Sequence, residues 1–470
     1  MTRRTILAVA ALAFSLQSWA QQAELLNPNV VFLNDSAQVA ALYGEWNQYV
    51  SEHPDDENGW RNLYFAYERY LMILIPARIS STGSDYLTQH ISLSKEMNVL
   101  GRMEQAIPDT YTFNWCAYQG NYASVLYSGQ NGEDIEQHAI HYMDRAIELL
   151  PENAQNFDYE TCARYLACRQ DQARLTDVLR KYYQSGRFSS SRLHYDFNEL
   201  QGMDPGGVYL GSQEGHIFGK LIIQLVMGLH QDKILYCENF AMVPSYLKDI
   251  FRRIGLSEEF FASDGAYQKE WEQSKKYELI VRQIFSQSKR PVYVSGSDFA
   301  GLLLGHGLPE DLRNCLYNEG LTLRYSATPY NNMQVKRRNV EERYLLDYLR
   351  MSFSPQDEQN ETASLYEPAF ISSFNTAILL SDLLPYYKKH DSLRFRWLNS
   401  ICNSILRRIT DSGTGGIFGA NRGFTIDKVE EGGTHYAVRV TGKPFFDPSD
   451  SNESLAEGRT KTILITEPEQ

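Results

Sequence analysis

Through residues 36–200, apolar positions recur at the three- and four-residue spacing of amphipathic helices, with Pro and Gly as punctuation. Pro54 closes one such helix, a polar turn runs through Asp55, Asp56, Asn58 and Gly59, and Trp60, Leu63 and Tyr67 line one face of the next. At Asp204-Pro205-Gly206-Gly207 the pattern changes. Short apolar runs at 208–210, 234–237, 291–295 and 321–325 then alternate with helical stretches at 218–229, 244–254, 270–285 and 312–318. Pro244 suits a first helical turn, and Gly320 fits the C-terminal cap of the 312–318 helix. Strand alternating with helix predicts right-handed crossovers and a parallel sheet covered on both faces.

Further on, 340–353 reads as helix and 354–362 as a polar loop, and 369–409 reads as a helix pair. Leu379, Leu380, Leu383, Leu384 and Tyr387 form the apolar stripe of the first helix, and Trp397, Ile401, Ile405 and Leu406 that of the second. Lys388-Lys389-His390-Asp391 connects them. A Gly-rich hinge at 412–419 leads to alternating strands at 424–427 and 436–440 across Gly432-Gly433, a hairpin, with a third strand at 462–466 and a mobile stretch at 447–458.

The start of the chain, Met1-Thr2-Arg3-Arg4, an apolar run at 6–16 and Ser18-Trp19-Ala20, has the form of a secretory signal cleaved after Ala20. That run is too short to cross roughly 30 Å of hydrocarbon. The later apolar patches, 221–229 and 378–384, are also too short, so no transmembrane segment is expected in the mature chain. A periplasmic or secreted protein follows. Its net charge of −13, from 45 Lys plus Arg against 58 Asp plus Glu, argues against nucleic acid and against a polybasic membrane-surface role. Six cysteines are too sparse for a disulfide scaffold and fit no zinc spacing. Buried free thiols and bridges both stay open, although Cys162 and Cys168 point in different directions around their helix.

The turn from His53 to Tyr67 resembles the junction between tetratricopeptide (TPR) repeats, and Ala139, Met143, Ala146 and Pro151 form a second such match. Tyr64 departs from it, standing where that repeat prefers a small residue. The stretch VYLGSQEGHIFGKLIIQLVMGLHQDKILYCENF, with RPVYVSGSDFAGLL and EDLRNCLYNEGLTLRYSATP, resembles the soluble C-terminal portion of large Bacteroidetes membrane proteins. Those form a family of unknown function related to protein mannosyltransferases. Gly211, Gly215, Asp232 and Glu319-Gly320-Leu321 match it, and the acidic turn differs, reading Ser212-Gln213-Glu214. The resemblance implies a Rossmann-like fold for residues 203–330 and a bacterial envelope setting, and carries over no transferase activity. The expected fold class is α/β plus all-α: TPR-like hairpins flanking a small Rossmann-like parallel sheet, with a short C-terminal β hairpin. The expected divisions are a signal peptide at 1–20, a helical domain at 21–202, the α/β domain at 203–330, a helical region at 331–411, and a hinge with a small β tail at 412–470.

Ligands of open α/β sheets bind beyond the carboxyl ends of strands. Ser212, Gln213, Glu214 and His216 fall there after the first strand, Glu238 and Asn239 after the second, Ser297 and Asp298 after the third, and Ser326 and Thr328 after the fourth. Glu214 and His216 are the candidate acid/base pair, with Asp298 to orient the imidazole. Strand ends are also polar for structural reasons alone, so a non-catalytic role stays beside this one. Gly-x-Gly-x-x-Gly, Walker, His-Glu-x-x-His and Gly-x-Ser-x-Gly motifs are absent, and no cofactor is expected. His138 and His141 offer a helical face to a metal or to solvent, and solvent is the expectation, so no metal site is assigned. Tyr64, Tyr67 and Tyr70, with Tyr122 and Tyr127, either line a concave protein-binding face or fill inter-helix cores. The expectation is a non-enzymatic interaction or scaffolding protein whose partners are other envelope proteins, peptide or glycan. The rival is a carbohydrate-active or transferase-like enzyme working at the strand ends.

Overall fold

A computed structural model describes residues 23–26, 35–82, 86–128, 133–152, 154–212, 214–257, 273–296, 308–350, 369–411, 424–429, 435–440 and 463–466. The signal segment, the hinge at 412–419 and the stretch at 447–458 lie outside them. Packing divides the chain into two compact units, 1–154 and 155–470. The helices at 156–202 cluster with the α/β region and not with the helices before them.

The first unit is helical: α1 Ser36–Glu52, α2 Glu57–Thr82, α3 Tyr86–Met97, α4 Val99–Ala106, α5 Tyr111–Ser128 and α6 Glu133–Glu148. Helices α1 and α2 pack as one pair and α5 and α6 as another, with α3 and α4 against α2 and α5. The starts of α1 and α2 have local causes. Asp35 accepts the Gln38 N–H at the head of α1, and Asp56 accepts the N–H groups of Asn58 and Gly59 at the head of α2. Trp60, Leu63 and Tyr67 are buried, as their spacing predicts, and so are Ala139, Met143 and Ala146 on α6.

The second unit opens with α7 Asn156–Arg169, α8 Gln172–Gln184 and α9 Ser190–Gly202, then β1 Val208–Gly211. Helix α10, Gly215–Leu221, continues as a π turn at Ile222–Val226 into β2 Ile234–Cys237. Next come α11 Pro244–Ile254, α12 Gln273–Gln287, β3 Val292–Ser295, α13 Glu310–Arg313, β4 Leu316–Asn318 and β5 Thr322–Tyr325. The sheet order is β2-β1-β3-β5-β4. Strands β2, β1 and β3 are parallel and buried on both faces, as the apolar runs require.

The fourth expected strand breaks the parallel pattern, and the sheet is mixed. Strand β5 lies antiparallel to β3 because it returns from β4 through a tight hairpin. The expected 312–318 helix stops at Arg313, and residues 316–318 form β4 instead. A short apolar run suits either structure, and here cross-strand pairing decided. Gly320 is not a helix cap: at φ 134° it turns this hairpin, and a Cβ there would sit 2.3 Å from the Tyr344 hydroxyl. The β2 edge is closed by one side chain. Tyr246 Oη accepts the Cys237 N–H at 3.0 Å and faces the Leu235 carbonyl at 3.3 Å, so this edge cannot take another strand there.

Helix α14, Asn332–Arg338, runs into a π turn at Asn339–Arg343 and ends at Tyr344, short of the helix expected over 340–353. The Asn198 side chain explains the stop, binding both the N–H and the carbonyl of Leu345 at 2.8 and 3.0 Å. Then α15 Ala369–Leu380, α16 Leu384–His390 and α17 Ser392–Asp411 bury the predicted stripes, with Leu379, Leu383, Tyr387, Ile401 and Leu406 in one core alongside Tyr195 and Leu321. Strands β6 Phe424–Val429, β7 His435–Val440 and β8 Ile463–Thr466 form an antiparallel sheet, which contains the predicted hairpin and its third strand. None of the described helices is long and apolar enough to cross a membrane.

Candidate functional site

The carboxyl end of β3 and the Tyr209 side chain of β1 meet the protein's own charges. Helix α9 brings Asp196 and Glu199 to Lys220 of α10, and all three side chains are almost wholly buried. Lys220 bonds Asp196 and lies 2.5 Å from Glu199 Oε2, with its ammonium 4.5 Å from the centre of the Tyr209 ring. Glu199 also accepts from the Tyr209 hydroxyl at 3.1 Å, the Ser295 hydroxyl at 3.2 Å and the Gly296 N–H at 3.3 Å. Gly219 makes the approach of α9 to α10 feasible, because a Cβ there would lie 1.9 Å from Asp196 Oδ2. Burial by itself lowers the Lys220 pKa, but the two carboxylates outweigh it and the net shift is upward. The amine stays protonated, which removes it as a nucleophile or base.

Beside this triad, Glu214 is buried and pairs with Arg164 of α7 at 3.4 Å. One helical turn before Arg164, Glu160 accepts from the Tyr182 hydroxyl at 3.0 Å. Burial raises the Glu160 pKa to about 7 against the pull of Arg192 and the Tyr182 hydrogen bond, with Glu214 adding to the rise. Burial also raises the Cys168 thiol to about 12. All six cysteines are unbridged, Cys162 and Cys168 among them.

Among the candidate strand-end residues, Ser212, Glu238 and Asn239 are half-buried and each already has interactions. Gln213, Ser297 and Asp298 lie outside the described residues, as does the side chain of His216. Ser326 and Thr328 leave the group altogether. Strand β5 runs antiparallel to β3, so its carboxyl end lies at the opposite end of the strands, where Ser326 bonds the Thr328 carbonyl in a local turn. The acid of the proposed pair, Glu214, thus has an arginine as its partner.

In the first unit, an open groove of about 580 Å³ runs between the end of α4, the start of α5 and one face of α6. Its lining includes Glu104, Asp109, Phe113, Asn114, His138, His141, Tyr142 and Arg145. The α6 members sit at positions i, i+3, i+4 and i+7, on the side away from the buried Ala139, Met143 and Ala146. Phe113 meets Tyr142 edge-on at 5.6 Å, making an apolar wall, and His141 packs on Tyr142 at 5.6 Å. Burial raises the Tyr142 phenol, and the Glu104 carboxylate adds to this. Arg145 is paired with the exposed Glu148 at 2.9 Å. No group of three or more His, Cys, Asp or Glu among the described residues is placed to hold a metal.

The tyrosines assigned to a binding face are placed differently. Tyr64 and Tyr67 are buried between helices, Tyr67 donating to Ser94 at 2.8 Å, and Tyr70 stacks on Tyr43 at 5.5 Å. A Tyr on the inner face of a helix pair fills core, so Tyr64 and Tyr67 present no surface to a partner. The side chains of Tyr122 and Tyr127 lie outside the described residues.

No protein-family model, curated protein or solved structure matches the chain.

Sequence reasoning passed over Asp196, Glu199 and Lys220. The signal was present: Lys220 stands within the apolar run HIFGKLIIQLV, and Asp196 and Glu199 lie between Tyr195 and Leu200. Charges inside an apolar face are almost never buried unless paired, so each one forecast a partner. The groove residues were half-legible, as the face opposite the small residues of α6.

Proposed function

We propose that the protein is an exported, non-enzymatic interaction protein of the cell envelope, and that its first unit takes a polypeptide partner in the groove between α4, α5 and α6. The groove carries this reading: an aromatic wall flanked by carboxylates, imidazoles and a guanidinium suits a peptide's mixed apolar and polar surface better than one reacting bond. The engagement of Glu214 with Arg164, and of Asp196 and Glu199 with Lys220, supports it, since those charges serve the fold. In this reading the helical pairs are degenerate TPR-like hairpins, the parallel strands belong to a Rossmann-like unit, and residues 203–330 share ancestry with the Bacteroidetes envelope family that they resemble.

A photo-crosslinking residue at Gln137 on the groove rim, used in intact cells, should capture one reproducible envelope protein, and Tyr142→Ala should abolish the capture. Crosslinking that is diffuse, or unchanged by Tyr142→Ala, removes the groove from the proposal. Export is checked separately by fractionation and N-terminal sequencing, with Gln21 as the expected first residue.

One observation favours the rival, a carbohydrate-active enzyme. Glu160, raised to about 7, sits beside the Glu214–Arg164 pair at the strand ends, and a carboxyl titrating near neutrality suits a general acid. Glycan turnover by the purified chain that is lost in Glu160→Gln, with its thermal stability retained, would establish that reading.

A further inference from the structure

Four hydrogen bonds in the first unit hold a short segment, residues 23–26, by its main chain. The Ala23 N–H donates to Asp56 Oδ2 and the Ala23 carbonyl accepts from Asn58 Nδ2, both at 2.8 Å. The Glu24 carbonyl accepts from Asn62 Nδ2 and the Leu26 N–H donates to Asn62 Oδ1, again at 2.8 Å each. The partners are 33 to 38 residues apart in sequence, so this is no local turn.

Asn62 is completely buried, and its carboxamide gives one donor and one acceptor to the groups flanking Leu25. A neighbouring parallel strand makes that pair of bonds with the N–H and C=O of one residue, and here the Asn62 side chain supplies both. The other two residues are set by the start of α2. Asp56 Oδ1 caps the helix through the Asn58 and Gly59 N–H groups, while Oδ2 accepts the Tyr49 hydroxyl at 2.8 Å as well as Ala23. Asn58 and Asn62 are one helical turn apart, on one face. Asp56 is thus held by groups other than the segment, and α2 places Asn58 and Asn62 beside it. Meanwhile the Glu24 side chain is exposed, and Ala23, Leu25 and Leu26 are only half-buried.

We propose that Asp56, Asn58 and Asn62 form a binding site for the main chain of an extended polypeptide, that residues 23–26 are its resident occupant, and that a peptide supplied in trans takes their place. The site does not rest on the groove reading and stands or fails by itself.

The test compares a chain spanning 21–470 with one spanning 27–470, using a fluorescent peptide of residues 21–28 as the probe. The shorter chain should bind it saturably, and the longer chain on the order of tenfold more weakly, since its own segment competes. N-methylation of the peptide's Leu26 nitrogen, which removes one hydrogen bond, should weaken binding by about tenfold. Replacing its Glu24 by Ala should leave affinity unchanged. Asn58→Ala in the shorter chain gives a second, milder lesion and should also weaken binding. If the shorter chain is unstable, added peptide must raise its Tm in a concentration-dependent way, as a ligand of the native state does. Absence of both binding and Tm rise, or binding indifferent to N-methylation, overturns the proposal.

Discussion

The two units use the same residue types in opposite ways. In the groove of the first unit, Glu104, Asp109, His138, His141 and Arg145 stand at an open surface. At the strand ends of the second, Asp196, Glu199 and Lys220 are sealed among Tyr209, Ser295 and Gly296. An exposed charge is hydrated whether or not it has a partner, so it can be offered to a ligand at little cost. A buried charge must be matched by its own fold, which leaves it tied into that fold. Polarity at strand ends therefore does not by itself mark a site; accessibility decides.

The largest expected effect comes from emptying the sealed cluster. Lys220→Met leaves two carboxylates unmatched and should destabilise the second unit by about 3–5 kcal/mol, read by chemical denaturation. A loss below about 1 kcal/mol would mean that the triad is hydrated and closer to the groove in character. Next is Gly219→Ala, whose methyl would meet Asp196 and Phe188; a cost of about 1–3 kcal/mol is expected for overpacking without loss of charge.

The pH dependence separates the units more finely. Glu160 titrates near 7 in the folded chain against 4.5 ordinarily, so between these values the folded state binds more protons than the unfolded one. Its contribution to stability is full below pH about 4.5, falls as pH rises through 7, and is constant above. Subtracting the Tm–pH profile of Glu160→Gln from that of the parent should isolate this downward slope. A flat difference across that window would show that Glu160 is solvated. The smallest effect belongs to the groove: His141→Ala should change stability by less than about 0.5 kcal/mol while weakening partner capture. A large stability loss there would turn the groove wall into core.

Much of the architecture was legible along the chain. Strands 208–211, 234–237 and 292–295 and helix Pro244–Ile254 lie where the apolar runs and Pro244 place them. The stripes through Leu379 and Ile401 are buried as their spacing requires. The candidate site was less legible. The pattern of α6 marked a polar face without saying that α4 and α5 would wall it into a groove, and Tyr64 and Tyr67 read either as surface or as core.

By itself, the order of residues determined where segments turn helical or extended and which face of each is apolar, because those depend on period and on caps only a few residues away. Tertiary structure alone decided that β5 would run antiparallel, that Lys220 would meet Asp196 and Glu199, and that Asn62 would hold the backbone around Leu25. Each of these joins groups far apart in sequence. Their pairing energy exists only once the chain is compact and water is gone, so no local pattern could encode it.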